Sequence, residues 1–137
     1  MLKNLGNMNL ETSKIAIIGQ GYVGLPLAIE FGKSFTTIGF DINTARIDQL
    51  KKGIDHTNEA SFEQINSANQ LTFSSKKDDL KKCNIYIVTV PTPIDEFKTP
   101  NLEPLREASK MLGKYLKKGD LVIYESTVYP GCTEEVC

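Results

Sequence analysis

Short apolar runs alternate with stretches of helical periodicity along most of this 137-residue chain. Ile15-Ala16-Ile17-Ile18 is a continuous apolar run broken by Gly19, the pattern of a strand buried on both faces. A helical pattern follows, with Val23, Leu27, Ala28 and Phe31 on one side, Pro26 near its first turn and Gly32 as its stop. Residues 36–40 read as a second strand that ends at Asp41. The next helix takes Asn43 as N-cap, Ile42 and Ile47 as a hydrophobic staple, and Gly53 just past its end. Residues 54–70 are polar, with a short helix around 60–67, and residues 71–73 alternate like a brief third strand.

The second half repeats the alternation. Residues 84–90 form a strand rich in β-branched residues, and Pro91 ends it because proline donates nothing to a ladder. A helix is predicted from Asn101, with Pro104 in its first turn and Leu105, Ala108, Leu112, Tyr115 and Leu116 as its apolar face. Lys117-Lys118-Gly119 closes it. Leu121-Val122-Ile123-Tyr124 is the next strand. Lysine-rich residues 76–82 read as a solvated helix face, and residues 1–13 as a flexible extension before the domain at 14–137. Strands alternating with helices imply parallel pairing and right-handed crossovers, hence a doubly wound α/β sheet of the Rossmann type. Ligands of such sheets lie beyond the carboxyl ends of the strands. Those ends are Gly19 to Gly24, Asp41, Val90 to Pro93, and Glu125 to Thr127.

Gly19-Gln20-Gly21-Tyr22-Val23-Gly24 carries the chemistry. Glycine at 19 lets the chain reverse, at 21 it admits a pyrophosphate close to the backbone, and at 24 it lets helix and strand approach. The helix N-terminus then presents amides and a positive dipole end to an anion. Asp41 stands about 20 residues on, where a ribose-binding acid belongs in a dinucleotide site.

Composition narrows the partners. Lys and Arg number 16 against 17 Asp and Glu, for a net charge of −1, so no basic field is available for nucleic acid or an anionic membrane. No apolar run reaches the length of a membrane span, and the cytoplasm is the expected compartment. Cys83, Cys132 and Cys137 form no C-x-x-C pair and have only His56 to accompany them, so no metal site is expected.

Three separated segments resemble the nucleotide-sugar 6-dehydrogenases, which oxidise UDP-glucose, UDP-N-acetylhexosamines or GDP-mannose to uronic acids. Gly19-Gln20-Gly21-Tyr22-Val23-Gly24-Leu25-Pro26 is similar to the family's G-x-G-Y-V-G-L-P, Val88-Thr89-Val90-Pro91-Thr92-Pro93 to its V-x-V-P-T-P, and Ser126-Thr127-Val128-Tyr129-Pro130-Gly131 to its S-T-V-x-P-G. The longer strings Tyr124 to Gly131 and Pro100 to Leu105 look most like the UDP-N-acetylhexosamine branch, the enzymes of capsule and O-antigen sugar synthesis. The resemblance implies NAD as cofactor and a UDP-sugar as substrate. It also implies a homo-oligomeric full-length enzyme that removes two hydrides from C6, by way of a thiohemiacetal and a thioester on a cysteine outside this chain.

Carried over by position, Gly19, Gly21, Tyr22, Val23 and Gly24 would approach the pyrophosphate, and Asp41 would accept the adenosine ribose hydroxyls. Arg46 matches a basic residue near the adenosine, or is a plain surface arginine. Val90, Pro91, Thr92 and Pro93 would line the cofactor beyond their strand. Ser126 and Thr127 would lie near the nicotinamide, with Thr127 contacting the reacting centre or only satisfying a local backbone group. Residues 133–137 read as the first turn of a helix, and a complete doubly wound domain expects a sixth strand, so the chain reads as a C-terminally truncated fragment, inactive alone. A non-catalytic dinucleotide module and a UDP-glucose 6-dehydrogenase are the alternatives.

Overall fold

Five apolar runs form five parallel strands in the computed structural model, which describes residues 8–125. β1 (Lys14–Ile18) is the central strand. β2 (Thr36–Phe40) and β3 (Leu71–Ser74) lie on one side of it, β4 (Ile85–Val88) and β5 (Leu121–Tyr124) on the other, in the order β3-β2-β1-β4-β5. Ile17 faces Gly39 across one ladder and Ile87 across the other. No residue from Ile15 to Ile18 is more than 2% exposed, as a run buried on both faces requires.

The chain leaves the centre in opposite directions, so right-handed crossovers put the helices on opposite faces. α1 (Gly24–Gly32) joins β1 to β2, and its Ala28 packs with Ile15, Ile17, Ile85 and Ile87. α4 (Glu103–Gly113) joins β4 to β5, and its Leu105, Ala108, Met111 and Leu112 pack with Ala16, Ile18, Tyr86 and Val88 on the other face. This is the doubly wound arrangement predicted from the alternation. The chain turns toward opposite faces after β1 and after β4, which leaves a crevice beyond their carboxyl ends. Among the described residues no helix is long and apolar enough to cross a membrane.

Several local expectations are corrected. α1 buries Gly24, Leu25, Ala28, Ile29 and Gly32, whereas Val23 is 50% exposed. Its apolar side is wider than predicted: Leu27, Ala28 and Phe31 pack toward the sheet as expected, and Leu25 and Ile29 also pack with Leu50 of α2 (Thr44–Lys51) and Ile65 of α3 (Phe62–Ser67). Gly32 does not stop the helix from outside. It belongs to the last turn, and a Cβ there would stand 2.5 Å from Leu71 Cβ, so it is a close-packing site against β3. Asn43 caps α2 by accepting the Arg46 N–H, and Gly53 follows with φ +75°, both as predicted. The Ile42–Ile47 staple does not form. Asp41 Oδ1 accepts the Asn43 N–H in a tight turn, and Ile42 stands 73% exposed while Ile47 is buried.

β4 ends its regular pairing at Val88, short of Pro91. α4 ends at Gly113, before Tyr115 and Leu116, whose amides both donate to the Leu112 carbonyl. Lys117-Lys118-Gly119 instead forms a separate turn, in which Asp120 accepts the Lys117 N–H and Gly119 has φ +94°. The lysine-rich segment is a 3₁₀ helix, Lys77–Lys82, anchored by the fully buried Leu80. At the end of the expected extension, residues 9–13 form a hydrogen-bonded turn that leaves Ser13 buried.

Candidate cofactor site

The glycine turn between β1 and α1 uses each glycine differently. Gly19 has φ +95°, and a Cβ on it would lie 3.2 Å from the Thr89 carbonyl group and from Val90 N. Its N–H donates to Phe40 O at 2.8 Å and its carbonyl accepts from Thr89 Oγ1 at 2.8 Å. A Cβ on Gly24 would overlap the Gly19 carbonyl oxygen and stand 2.5 Å from Thr89 Oγ1, so only glycine lets α1 start this close to the turn. Gly21 is the informative case. It is not among the glycines with positive φ, and among the described residues no atom beyond its own chain neighbours lies within 4 Å of the place its Cβ would occupy. Neither conformation nor packing requires glycine there.

The turn opens into a crevice of about 720 Å³, within the range of small-molecule sites. Of the residues predicted from sequence, Gly19, Gly21, Asp41, Arg46, Val90 and Pro91 line it together. α4 closes the other side with Glu103, Glu107 and Met111. Gly24 lies buried beneath the turn, and Tyr22 stands 71% exposed at the start of α1. Thr92 and Pro93 belong to the loop after Pro91 and are not part of the lining. That loop is closed by an antiparallel bridge between Ile94 and Pro100. Ser126 and Thr127 lie outside the described residues, as do Cys132 and Cys137. α1 starts without any side-chain cap; within its first turn Leu25 N–H donates to Gly21 O, Leu27 N–H donates to Val23 O, and Pro26 has no N–H to place.

Two charged groups hold Gln20, between the first two glycines. Asp41 Oδ2 accepts its N–H at 2.9 Å, and Arg46 Nε donates to its carbonyl at 2.9 Å. Arg46 is therefore not a plain surface arginine. Its side chain is 11% exposed and Nη1 pairs at 2.8 Å with Asp55, whose side chain is fully buried. Burial alone would push the Asp55 carboxyl up. Hydrogen bonds from Thr57 Oγ1, Arg46 and the amides of Ala60 and Thr57 outweigh it and hold the group well below the usual carboxylate range. His56, next to it, is exposed and takes no part. Among the described residues no group of three or more His, Cys, Asp or Glu is placed to hold a metal ion.

Sequence reasoning missed Gln20, Thr89 and Asp55. Gln20 was hidden in a variable motif position, although its side chain is buried under the turn, with Nε2 donating to Ile17 O at 3.0 Å. Thr89 read only as a β-branched strand residue. Asp55 sat in a polar stretch with no periodicity to mark it as buried.

A profile described as the UDP-glucose/GDP-mannose dehydrogenase family, NAD binding domain, matches residues 13–137. The chain belongs to this family. It is 60% identical over 128 residues to the UDP-N-acetyl-D-glucosamine 6-dehydrogenase of Pseudomonas aeruginosa, covering 93% of this chain and 30% of that protein. The corresponding enzyme of Salmonella typhi is 56% identical over the same shares. Among solved structures, a UDP-D-ManNAc dehydrogenase from Pyrococcus horikoshii superposes with a TM-score of 0.81 at 34% identity, over 90% of this chain and 30% of that one. The chain thus spans about 30% of the length of these relatives, and what it spans is the NAD-binding domain of the family.

Proposed function

We propose that the crevice binds NAD and that, within a longer polypeptide, it serves the two-step oxidation of a UDP-N-acetylhexosamine to its uronic acid, in the cytoplasm, for capsule or O-antigen synthesis. Gly21 is the observation that carries the cofactor reading, since the open space over it is what a pyrophosphate lying on the backbone needs. Identity of 60% to a UDP-N-acetyl-D-glucosamine 6-dehydrogenase supports the choice of sugar branch.

NAD, when bound, supplies the hydride acceptor. The residues here bind and orient it. The positive end of the α1 dipole and the open backbone of Gly21 favour the pyrophosphate without any cation in the turn. Each Asp41 oxygen accepts one backbone N–H and keeps a further lone pair for a ribose hydroxyl. The same carboxylate repels a 2′-phosphate. Val90 and Pro91 supply apolar lining beyond β4. Thr92, Pro93, Ser126 and Thr127 continue the cofactor track toward the nicotinamide, and the whole enzyme is a homo-oligomer that takes its sugar from segments outside this chain.

Titration calorimetry with NAD and NADP tests the cofactor reading: NAD binds more tightly. Asp41→Asn removes the charge and one acceptor, and should weaken NAD roughly tenfold, as loss of a charge-assisted hydrogen bond of about 1.5–3 kcal/mol requires. Equal affinity for both dinucleotides in the wild type refutes the role of Asp41. The sugar is tested by offering the full-length protein UDP-GlcNAc, UDP-GalNAc and UDP-glucose in parallel. The 137-residue chain alone should produce no NADH from any of them.

A further inference from the structure

We propose that Asp55 sets the cofactor preference at one remove, by holding and neutralising the Arg46 guanidinium so that it does not serve a 2′-phosphate. The inference rests on the reading of the crevice as a dinucleotide site. In such sites an acid at the end of the second strand favours a free 2′-hydroxyl, whereas a nearby arginine accommodates a 2′-phosphate. This chain carries both, since Asp41 and Arg46 line the same crevice. Which of them governs the ligand depends on where the guanidinium is and what cancels its charge.

The geometry answers both questions. Arg46 Nε is committed to the Gln20 carbonyl, Nη1 to Asp55 Oδ1 and Nη2, at 3.4 Å, to Thr57 Oγ1. Asp55 is itself fixed from its other side. Its Oδ1 accepts from Thr57 N and Thr57 Oγ1, and its Oδ2 from Glu59 N at 2.7 Å and Ala60 N at 2.9 Å. The loop after α2 therefore sets the position of the carboxylate, and the carboxylate sets that of the arginine. The buried carboxylate stays ionised, which keeps it a counter-charge at every working pH. With that pair cancelled, Asp41 at the same corner has no ion pair of its own among the described residues. Lys77, an exposed cation that also lines the crevice, lies on a different element and is untouched by changes at Asp55. Asp55 is in this sense a positioning residue that acts through Arg46.

The test is the ratio of dissociation constants for NADP and NAD, measured by calorimetry on the wild type, Asp55→Asn and Asp55→Asn/Arg46→Gln. Asp55→Asn keeps the shape and frees the arginine charge, so the ratio should narrow about fivefold or more. The double variant removes that charge again and should restore the wild-type ratio within about twofold. If Asp55 only braces the loop, Asp55→Asn lowers the melting temperature and weakens both dinucleotides alike, and an unchanged ratio overturns the proposal. Should Asp55→Asn fail to fold, the wild type decides. Adenosine 2′,5′-bisphosphate should bind less tightly than 5′-AMP at low salt, and tighter binding there means that the arginine is already available and overturns the proposal. A wild type that binds neither dinucleotide overturns the cofactor reading itself. That failure is distinct from one in which NAD binds and the ratio stays fixed.

Discussion

Replacing Gly21 by alanine places a methyl group where, among the described residues, no atom beyond the chain neighbours lies within 4 Å, so its effect should fall on the ligand and not on the fold. Backbone conformation raises no objection, because Gly21 is outside the left-handed region. Loss of glycine freedom in the unfolded chain should stabilise the protein by about 0.4–1 kcal/mol. For a chain of this length that is a rise in Tm of about 2–4 °C. Binding should move the other way. Displacing a phosphate from the backbone removes at least one charge-assisted hydrogen bond, about 1.5–3 kcal/mol, hence a tenfold or greater loss of NAD affinity. Gly24→Ala supplies the contrast. Its methyl overlaps the Gly19 carbonyl oxygen and lies 2.5 Å from Thr89 Oγ1, both in the frame of the turn, so overpacking should cost about 1–3 kcal/mol and lower Tm by roughly 4–12 °C. Scanning calorimetry and NAD titration on the same preparations separate the two effects. An unchanged NAD affinity in Gly21→Ala would remove the turn as the pyrophosphate site, and a large fall in its Tm would mean that the fold itself needs the space.

Burial pushes the Cys83 thiol up to about 11, so Cys83 should resist alkylation at mildly basic pH until the protein unfolds, as peptide mapping would show. Because that pKa is raised, the stability it contributes is complete below the ordinary thiol range and is lost as pH rises toward 11. Asp55 has the opposite sign: its lowered carboxyl stabilises the fold fully above the usual carboxylate range and loses that contribution as pH falls below it. Denaturant midpoints should therefore drop in acid, and less steeply in Asp55→Asn. Thr127→Val in the full-length protein should bind NAD normally while kcat falls by about 10²; unchanged turnover with a lower melting temperature would assign Thr127 a local structural role instead.

The sheet was legible because buried parallel strands leave continuous apolar runs, and Ile15 to Ile18 and residues 85–88 could be read as such. The turn was legible because its glycines recur at a fixed spacing, two of them, Gly19 and Gly24, held by conformation or close packing. Helix faces were less so. Leu25 and Ile29 meet α2 and α3 instead of the sheet alone, and a contact between two helices leaves no separate periodic mark. The end of α4 was misplaced because Lys117-Lys118-Gly119 carries terminator chemistry but serves a turn of its own. At the site, Gly19, Gly21 and Asp41 came from motif spacing and Arg46 from the family resemblance, whereas the Arg46–Asp55 pair joins two segments with no shared pattern.

All four backbone polar groups of Gly19 and Gln20 are already bonded: Gly19 N to Phe40 O, Gly19 O to Thr89 Oγ1, Gln20 N to Asp41 and Gln20 O to Arg46. Fixing the backbone of a residue costs about 1–2 kcal/mol of conformational entropy, and for these two residues that cost is met during folding, before any dinucleotide arrives. Association then has little loop ordering left to drive, so nearly all of the contact energy at the turn appears as affinity. The bonds come from β2, from α2 and from the residues just beyond the ends of β2 and β4, which makes the shape of the turn a property of the assembled sheet and not of its own six residues. A peptide carrying residues 19–24 alone would possess every motif residue and none of the rigidity.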